Sequence, residues 1–426
     1  MSGVLPLARE LAIAVGADHV EEIDDGAWRV TPGSAAEVAE VIQRASSHRA
    51  AVHPVGGGAR PVRVAARAAD GTPGGAGADR PRIYVSTRRL DQVLQLDESS
   101  LLVHAQAGLT GIGLERILAP RGLSIGDYPP AVLTSSLGGI IAVRTPGKSS
   151  ARHGFFEEAV VGVSAVLADG RSVHTRVAPR RATGPDLARA LVGSEGTIGF
   201  ITSVVLRIHV KPESRLFAAY VLPSIDAAVS AIYLALREEA APAGMRIYDA
   251  AEAAQHFDGL RLPDDHALLC AATAGPTDLA ACDRDLITSA VIAEGGQPTE
   301  TSLAELWWRR IHAGEPTPGP APTLQIMATP SKLRAVYRAV VRELAQQGGS
   351  ARAHISRFDA DGAVAFFTLE HEGAIADDAI VTAAERAAEA AGGWLLGARA
   401  VKLDAYLRAL RETIDPHRIM NPGTLA

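Results

Sequence analysis

The stretch His53-Pro54-Val55-Gly56-Gly57-Gly58-Ala59-Arg60 follows a short apolar run and contains three consecutive glycines. Two more stretches of small residues lie in the same half of the chain, Thr134-Ser135-Ser136-Leu137-Gly138-Gly139 and Gly193-Ser194-Glu195-Gly196-Thr197-Ile198-Gly199-Phe200-Ile201. Because glycine has no Cβ, the backbone N–H groups of such turns can converge on an anion, as they do around bound phosphates. Three such turns in one half-chain predict that a large phosphate-bearing cofactor, a dinucleotide, lies along the fold.

The composition is that of an ordinary soluble globular protein, with 47% hydrophobic and 21% charged residues. A length of 426 residues predicts two domains. The formal net charge of −6 gives no indication of nucleic acid or of an anionic membrane surface as a partner. The two cysteines, Cys270 and Cys282, lack CxxC spacing, so neither a disulfide framework nor a zinc site is expected.

The N-terminal residues lack the features of a signal peptide. There is no basic n-region, and Arg9 and Glu10 interrupt the apolar stretch. No run approaches the roughly 18 apolar residues that a membrane helix needs. We therefore expect no integral membrane segment and a cytoplasmic location.

The first half of the chain alternates short strands and helices. Residues 34–47 predict a helix capped by Ser34 or Thr31, with an apolar stripe of Val38, Val41 and Ile42. Asp169-Gly170 predicts the turn of a hairpin. The other predicted elements are strands at 51–54, 82–86, 101–107, 160–168, 171–176 and 201–210 and a helix at 111–119. This pattern indicates an α+β domain with a mixed sheet.

The pattern changes at about residue 213, where strands at 216–222 and 267–272 and alanine-rich helices at 224–240, 331–347 and 378–391 predict a second α+β domain. We expect a loop or a lid at 315–322. The expected organisation is a first domain at 1–212, a second at 213–414 and a polar C-terminal segment at 415–426 that returns towards the first.

These motifs resemble those of the FAD-binding PCMH-type oxidoreductases of the vanillyl-alcohol oxidase superfamily, and within it the likeness is strongest to alkyldihydroxyacetonephosphate synthases. The signature PxGGGxx corresponds to Pro54–Arg60. The segments 181–187 and 193–201, the run Ala241-Pro242-Ala243-Gly244-Met245-Arg246 and the terminal Asp-Pro-x-x-Ile-x-Asn motif also resemble the synthases. The resemblance implies a two-part FAD-binding domain, a cap domain in which helices cover a sheet, and FAD as the cofactor.

The resemblance also implies which residues contact FAD. They are the signature residues Pro54, Val55, Gly56, Gly57, Gly58, Ala59 and Arg60, then Pro130, Thr134, Ser135, Ser136, Gly139, Val143, Arg144, Gly147, Ser149 and His153, and finally Glu195, Gly196, Thr197, Gly199 and Ile201. Relatives that bind FAD covalently carry a histidine after the paired glycines, where this chain has Gly58. We therefore expect non-covalent FAD, with His153 as the remaining candidate for a covalent bond.

In this superfamily the second domain lies over the flavin ring and supplies acid, base and anion-binding groups. The synthases have a run of histidines near the C-terminus after a Gly-Gly pair, but here Gly392-Gly393 is followed by Trp394-Leu395-Leu396-Gly397-Ala398-Arg399. The candidate catalytic residues are therefore His371 as a base and Arg246, Arg357 and Arg399 as anion-binding groups. The alternatives are a surface histidine at a strand end and ordinary salt-bridged arginines. Trp307-Trp308 would either cap a substrate or pack a helix.

Three functions are consistent with these residues. The first is an FAD-dependent oxidoreductase that transfers hydride from a small hydroxylated or amine-bearing substrate to flavin N5. The second is a synthase-like FAD transferase without net redox change, against which the missing histidines argue. The third is the FAD-binding subunit of a larger dehydrogenase complex. The expected partner is a small-molecule substrate, no nucleic acid is expected, and a homodimer is compatible with the sequence.

Overall fold

The computed structural model describes residues 4–57, 80–126, 128, 130–144, 152–154, 156–177, 186–313, 321–371, 377–396 and 405–424. Within these ranges, no helix is both long and apolar enough to cross a membrane. Strands and helices alternate along the chain, as the α+β prediction requires.

The strands of the described residues form four sheets. In chain order they are β1 (Val20–Asp24), β2 (Ala27–Val30), β3 (Ala51–Val55), β4 (Arg82–Ser86), β5 (Val93–Asp97), β6 (Leu102–Gln106), β7 (Leu123–Ser124), β8 (Val160–Leu167), β9 (Ser172–His174), β10 (Gly199–Arg207), β11 (His209–Val210), β12 (Ser214–Leu222), β13 (Gly244–Asp249), β14 (Ala267–Gly275), β15 (Gln297–Pro298), β16 (Thr323–Ala328), β17 (Gly349–Ser356), β18 (Ala363–His371) and β19 (Trp394–Leu395).

The α-helices lie on the faces of these sheets. They are α1 (Val4–Val15), α2 (Ala35–Ser47), α3 (Gly111–Leu118), α4 (Pro130–Leu133), α5 (Leu137–Ala142), α6 (Leu187–Leu191), α7 (Ile225–Arg237), α8 (Ala250–His256), α9 (Thr277–Ala293), α10 (Thr301–Ala313), α11 (Pro330–Gln346), α12 (Asp377–Ala390) and α13 (Ala405–Ile414).

The first half of the chain contains two main sheets where the sequence predicted one mixed sheet. A four-stranded sheet has the order β1-β2-β4-β3, and β4 pairs in parallel with both β2 and β3. A five-stranded antiparallel sheet has the order β5-β6-β10-β8-β9. The predicted hairpin is β8–β9, whose turn contains Gly170 at a φ of 82°.

Helix α2 forms where the sequence predicts it and lies between the two sheets. The Ser34 hydroxyl accepts a hydrogen bond from the Glu37 amide and so caps the first turn. Val38, Val41 and Ile42 are fully buried, in one apolar cluster with residues of both sheets. This apolar stripe fixes β3, and with it the glycine turn that follows β3, against the five-stranded sheet.

The second half of the chain is built on an eight-stranded antiparallel sheet with the order β15-β12-β14-β13-β17-β18-β16-β19. One face is covered by α7, α9, α11 and α12, which bury the side chains of alternate strand residues such as Met245, Ile247 and Ile355. On the opposite face α8 packs over β13, β14 and β17, and α10 packs over β12 and β14, where Trp307 and Trp308 are buried. That face also carries polar side chains, among them Arg246, Arg352 and His354.

Candidate functional site

The first glycine turn leaves β3 directly against the second small-residue segment. A Cβ on Gly56 would lie 2.3 Å from Ser136 Oγ, whereas a Cβ on Gly57 would meet the Thr134 carbonyl oxygen at an ordinary 3.6 Å. The chain can pass Ser136 this closely only because residue 56 has no side chain. Pro54, Val55, Gly56 and Gly57 therefore lie beside the segment from Thr134 to Ser136.

Ser136 begins the short helix α5 and is 1% exposed. Its hydroxyl accepts a hydrogen bond from the Gly139 amide at 3.3 Å, which caps the helix. Val143 follows the helix at its C-terminal end, and Arg144 donates from Nε to the Val192 carbonyl at 3.3 Å. The helix and its flanks thus connect the second small-residue segment to the third.

The third segment turns twice through the left-handed region of backbone conformation. Gly193 has a φ of 80°, Glu195 a φ of 49° and Gly196 a φ of 75°. A Cβ on Gly196 would lie 2.8 Å from Pro54 Cγ, and the Glu195 amide donates to the Ala142 carbonyl at 2.8 Å. The third segment therefore packs against the first and the second.

The C-terminal segment joins the first and third segments by one side chain. Asn421 accepts from His53 Nδ1 at 3.1 Å and donates from Nδ2 to the Glu195 carbonyl at 2.6 Å. The backbone of Met420 pairs in parallel with Val52. Buried Asp415 holds this turn because it accepts from the Ile419 and Met420 amides at 2.9 and 2.7 Å.

These contacts gather most of the residues that the sequence assigned to FAD into one cluster. Its members are Pro54, Val55, Gly56, Gly57, Thr134, Ser135, Ser136, Gly139, Val143, Arg144, Glu195, Gly196 and Thr197. Ser194 Oγ is buried there without a hydrogen-bond partner in the described part of the chain. Turns made of glycine and other small residues converge here on the buried Ser194 hydroxyl. Such an arrangement fits a large polar cofactor.

The other assigned residues lie outside that cluster or outside the described residues. Gly199 and Ile201 are paired in β10 with Leu167 and Ala165 of β8. The His153 ring stacks on His209 with centroids 3.8 Å apart. Pro130 begins α4. Gly58, Ala59, Arg60, Gly147 and Ser149 fall in segments that the structure does not describe.

Two buried arginines lie together on the polar face of the eight-stranded sheet. Arg246 of β13 and Arg357, which follows β17, are each 6% exposed, and Arg246 pairs in register with Ser356. Nε of Arg246 and both Nε and Nη1 of Arg357 have no hydrogen-bond partner among the described residues. Burial, together with the charge of Arg246, lowers the pKa of Arg357 to about 9. Arg246 and Arg357 therefore place two positive charges side by side on this face, and no carboxylate of the described ranges forms an ion pair with either.

The backbone at Arg357 is in the left-handed region, with a φ of 60°. For a residue other than glycine, that conformation costs on the order of 1 kcal/mol. The guanidinium lies 4.9 Å from the centroid of the Phe366 ring, and Arg246 lies 5.7 Å from that of Tyr248. Contact with an aromatic ring thus orients each of the two guanidinium groups.

A network of acidic and imidazole groups continues along the same face. Glu252 of α8 is 1% exposed, accepts from Arg352 Nη1 at 2.9 Å and lies 3.1 Å from His354 Nδ1. Burial raises the pKa of Glu252, but its contacts with His354, His256 and Arg352 outweigh burial and lower it overall. Burial and the charge of Arg246 lower the pKa of His354 to about 3, so the imidazole is neutral at pH 7.

The register separates the predicted base His371 from this group. His371 ends β18 opposite Gly349, whereas the residue of β18 opposite Ser356 is Val364. Seven residues of extended strand span about 23 Å. Arg399, the remaining candidate, lies outside the described residues. Arg246 and Arg357 are therefore the two sequence candidates that the fold brings together.

Sequence reasoning overlooked His354, Glu252 and Tyr248. One signal was available, because Arg352, His354 and Ser356 alternate with the apolar residues Ala353 and Ile355. An alternation with period two predicts a strand with one polar face. The partner Glu252, 102 residues away, left no comparable local signal.

The eight-stranded sheet is in contact with the first half of the chain, which contains the cluster of glycine turns. The guanidinium of Arg152 lies against Gly275 at the end of β14, 2.8 Å from where a Cβ would stand. The carboxylate of Glu158 is close enough to Asp359, two residues beyond Arg357, to act on its ionisation. The arginine pair thus lies near the junction of the two halves.

Comparison with known proteins gives two family matches in order along the chain. The model of the FAD binding domain matches residues 27–176, and that of the C-terminal domain of FAD linked oxidases matches residues 211–398. Together they cover most of the described structure, including β3, β13 and β17.

Two curated relatives illustrate the range of activities among similar proteins. Alkyldihydroxyacetonephosphate synthase of Caenorhabditis elegans is 32% identical over 220 residues, which are 52% of this chain and 36% of that protein. The probable mitochondrial D-lactate dehydrogenase of Danio rerio is 33% identical over 204 residues, 47% of this chain and 38% of that protein. The matched segments therefore span little more than a third of these relatives' length.

Among solved structures, 4-ethylphenol oxidase from Gulosibacter chungangensis superposes with a TM-score of 0.72 over 99% of this chain and 96% of that one. At 15% sequence identity, this likeness concerns the fold alone.

The fold, the loop cluster and the two domain matches define an FAD-dependent flavoprotein with a PCMH-type cofactor domain. The protein is an enzyme with FAD as its cofactor, and its successive parts match the FAD binding domain and the C-terminal domain of FAD linked oxidases.

Proposed function

We propose that this enzyme oxidises a small hydroxylated or amine-bearing substrate that carries a carboxylate or phosphate group. The observation that carries the proposal is the pair of buried guanidinium groups, Arg246 and Arg357, without an acidic partner in the described residues. FAD, when bound, supplies the acceptor for the hydride that leaves the substrate carbon.

An anionic substrate group would resolve the electrostatic imbalance at this face. Burying a charge without a partner costs several kcal/mol, and two like charges side by side add to that cost. A planar guanidinium forms paired, charge-assisted hydrogen bonds with carboxylate and phosphate oxygens. Arg246 and Arg357 would thus hold the anion and orient the adjacent C–H bond, which raises the rate by positioning.

The remaining roles follow the expected domain organisation. We propose that residues 1–212 hold FAD non-covalently through the loop cluster, that residues 213–414 form the cap that binds substrate, and that residues 415–426 close the cofactor site. The contacts of Asn421 with His53 and Glu195 support the last role.

A synthase-like transferase is the second candidate, favoured by the 32% identity to alkyldihydroxyacetonephosphate synthase. A phosphate-bearing substrate would also suit the arginine pair. Against this candidate, Gly392-Gly393 leads into β19 with an exposed tryptophan, Trp394, where the synthases have histidines.

The two candidates are distinguished by anaerobic reduction of the purified yellow protein. We expect 2-hydroxy acids or amino acids to bleach the flavin absorbance and matched alcohols or amines without the acid group to leave it unchanged. Release of fatty acid from an acylated dihydroxyacetone phosphate would instead support the transferase. Equal bleaching by substrates with and without the acid group would contradict the role of the arginine pair.

A substitution of Arg246 tests its proposed role directly. Arg246→Gln should weaken binding of the effective substrate about 10- to 150-fold, because one hydrogen bond to a charged group is worth roughly 1.5–3 kcal/mol. Arg334→Gln is the matched control, since Arg334 is exposed on α11 and its hydrogen-bond partner is the Ser230 hydroxyl. Unchanged affinity in Arg246→Gln would remove the proposed anchor.

A further inference from the structure

We propose that His354, oriented by Glu252, is the base that removes the substrate proton in this chain, in place of the C-terminal histidines that the chain lacks. This inference rests on the proposed function, because it needs a substrate hydroxyl or amine held at the arginine pair. It adds a catalytic residue, His354, and a positioning residue, Glu252, neither of which the sequence motifs identified.

The Glu252 carboxylate fixes the tautomer of the imidazole. His354 Nδ1 lies 3.1 Å from Glu252 Oε1, and a carboxylate oxygen can only accept, so Nδ1 carries the proton and donates. Nε2 then holds the free lone pair, and in the described part of the chain it has no hydrogen-bond partner. Glu252 cannot turn away, because Arg352 Nη1 binds its other oxygen at 2.9 Å.

The ring plane is fixed as well. The imidazole stacks on Phe366 with centroids 4.6 Å apart and an interplanar angle of 12°. Tyr248 packs against another part of it at 5.9 Å. The side chain of His354 keeps 14% of its surface exposed, so the ring is held in place but remains accessible.

The strand register places this base next to the proposed anion anchor. Tyr248 pairs with His354 and Arg246 pairs with Ser356, so His354 and Arg246 are diagonal neighbours on adjacent strands. Diagonal neighbours on one sheet face lie roughly 7–8 Å apart. That separation suits a small 2-hydroxy or 2-amino acid, in which the O–H or N–H proton is three bonds from the carboxylate carbon.

The charges around His354 favour a base that becomes active once substrate binds. The groups that act on its ionisation are Glu252 and His256 from α8 and Arg246 from β13. The other titratable groups in the same network are Tyr248, Cys270, Arg352, Glu370 and Arg357, which follows β17. A substrate anion on Arg246 cancels the positive charge that disfavours protonation of His354. The substrate O–H or N–H bond then breaks as a new N–H bond forms at Nε2, and Glu252 stabilises the resulting imidazolium.

The kinetic test compares variants by stopped-flow reduction of the flavin with the effective substrate. His354→Ala should lower the reduction rate constant roughly 100- to 10,000-fold, the usual share of general base catalysis, and added imidazole should restore part of the loss. Glu252→Gln should lower the rate less, while binding of oxalate, a dicarboxylate without a C–H bond that could donate hydride, stays within a few-fold in both. His174→Gln, on the outer face of another sheet, is the control. A rate within three-fold of the parent in His354→Ala, or loss only in His371→Gln, would overturn the proposal.

A second measurement does not depend on turnover. With 15N-labelled histidine, nuclear magnetic resonance should report His354 as neutral at pH 7 with Nδ1 protonated and Nε2 bare, and oxalate should raise its pKa. An Nε2-protonated tautomer, or no effect of oxalate, would refute the base even if a substrate is found. If no substrate reduces the flavin while His354 shows the expected tautomer and response, the proposed function fails rather than the assignment of the dyad.

Discussion

Asp249 ends β13 and begins α8, and its carboxylate connects both elements to β17. It accepts from the Glu252 amide at 2.8 Å and from the Ala353 amide at 2.6 Å. Burial raises the pKa of this carboxyl group to about 6 in spite of these hydrogen bonds. The folded protein therefore binds a proton here more tightly than the unfolded chain does.

The sign of the pH effect follows from that difference. Between about pH 4 and pH 6 the folded state holds a proton that the unfolded state has lost, so Asp249 makes folding less favourable as the pH rises through this range. A shift of about two units corresponds to roughly 3 kcal/mol. We expect Asp249→Asn to gain about that much stability relative to the parent protein between pH 4 and pH 7, measured by urea unfolding.

The control for this prediction is Asp264→Asn, at an exposed carboxylate, which should change stability by less than about 0.5 kcal/mol at either pH. The asparagine amide cannot accept from Ala353 in the same way, but that loss is the same at every pH. If the unfolding free energies of Asp249→Asn and the parent protein differ by the same amount from pH 4 to pH 7, the raised pKa of Asp249 is contradicted.

Single residues also show where sequence reasoning ended. Arg246 was predicted because the residues before it match a family motif, and the fold indeed places it beside Arg357. His354 carries no such motif, and its role depends on Glu252, which is 102 residues away. The pairing depends on the register of β13 with β17, which local sequence does not specify.

At the level of elements, the first glycine turn owes its position to one missing side chain. Gly56→Ala would bring a Cβ to 2.3 Å from Ser136 Oγ. We expect this change to destabilise the FAD-free protein by about 1–3 kcal/mol, the usual cost of overpacking, and to lower FAD occupancy after purification. Thermal unfolding and the ratio of flavin to protein absorbance measure the two effects.

Gly57→Ala provides the matched comparison for the unfolding measurement, because its Cβ would meet only an ordinary contact at 3.6 Å. Stability of the FAD-free protein should change by only a few tenths of a kcal/mol in that variant. Equal destabilisation by both substitutions would show that general loop stiffness, and not the approach to Ser136, matters.

The sequence predicted the bounds of helices whose caps and apolar stripes lie within one short segment. Helix α2 has its cap and apolar stripe within fourteen residues, and the α7, α11 and α12 bounds lie within three residues of the predicted ones. The tryptophans of α10 pack into the core, as the helix-packing alternative holds. The division of the first half into two sheets was not predicted, since it depends on the parallel pairing of β3 and β4 across 22 residues outside the described ranges.

At the scale of the whole molecule, Asn421 connects the C-terminal segment to two cofactor loops. Its φ of 41° lies in the left-handed region, so Asn421→Gly removes the amide without straining the backbone. We expect a loss of about 1–3 kcal/mol in unfolding free energy, because His53 and the Glu195 carbonyl lose their partner, and weaker retention of FAD on dilution.

Glu412→Gln is the control within the same segment, since its ion pair with Arg418 is exposed and contributes little. It should leave both stability and FAD retention unchanged. If Asn421→Gly behaves like Glu412→Gln, the C-terminal segment does not close the cofactor site.

The cofactor and fold could be predicted because the family motifs are contiguous in sequence. The proposed base could not, because replacing a motif histidine by His354 depends on Glu252, which is 102 residues away in sequence. Such a replacement is visible only after β13, α8 and β17 have come together in space.

The hydrogen bonds of Asn421 have a consequence for how the protein folds during synthesis. Its partner His53 is made 368 residues earlier in translation. A nascent chain therefore contains its first glycine turn long before Asn421 is translated, so the hydrogen bond between His53 and Asn421 cannot form during the synthesis of the segment that separates them.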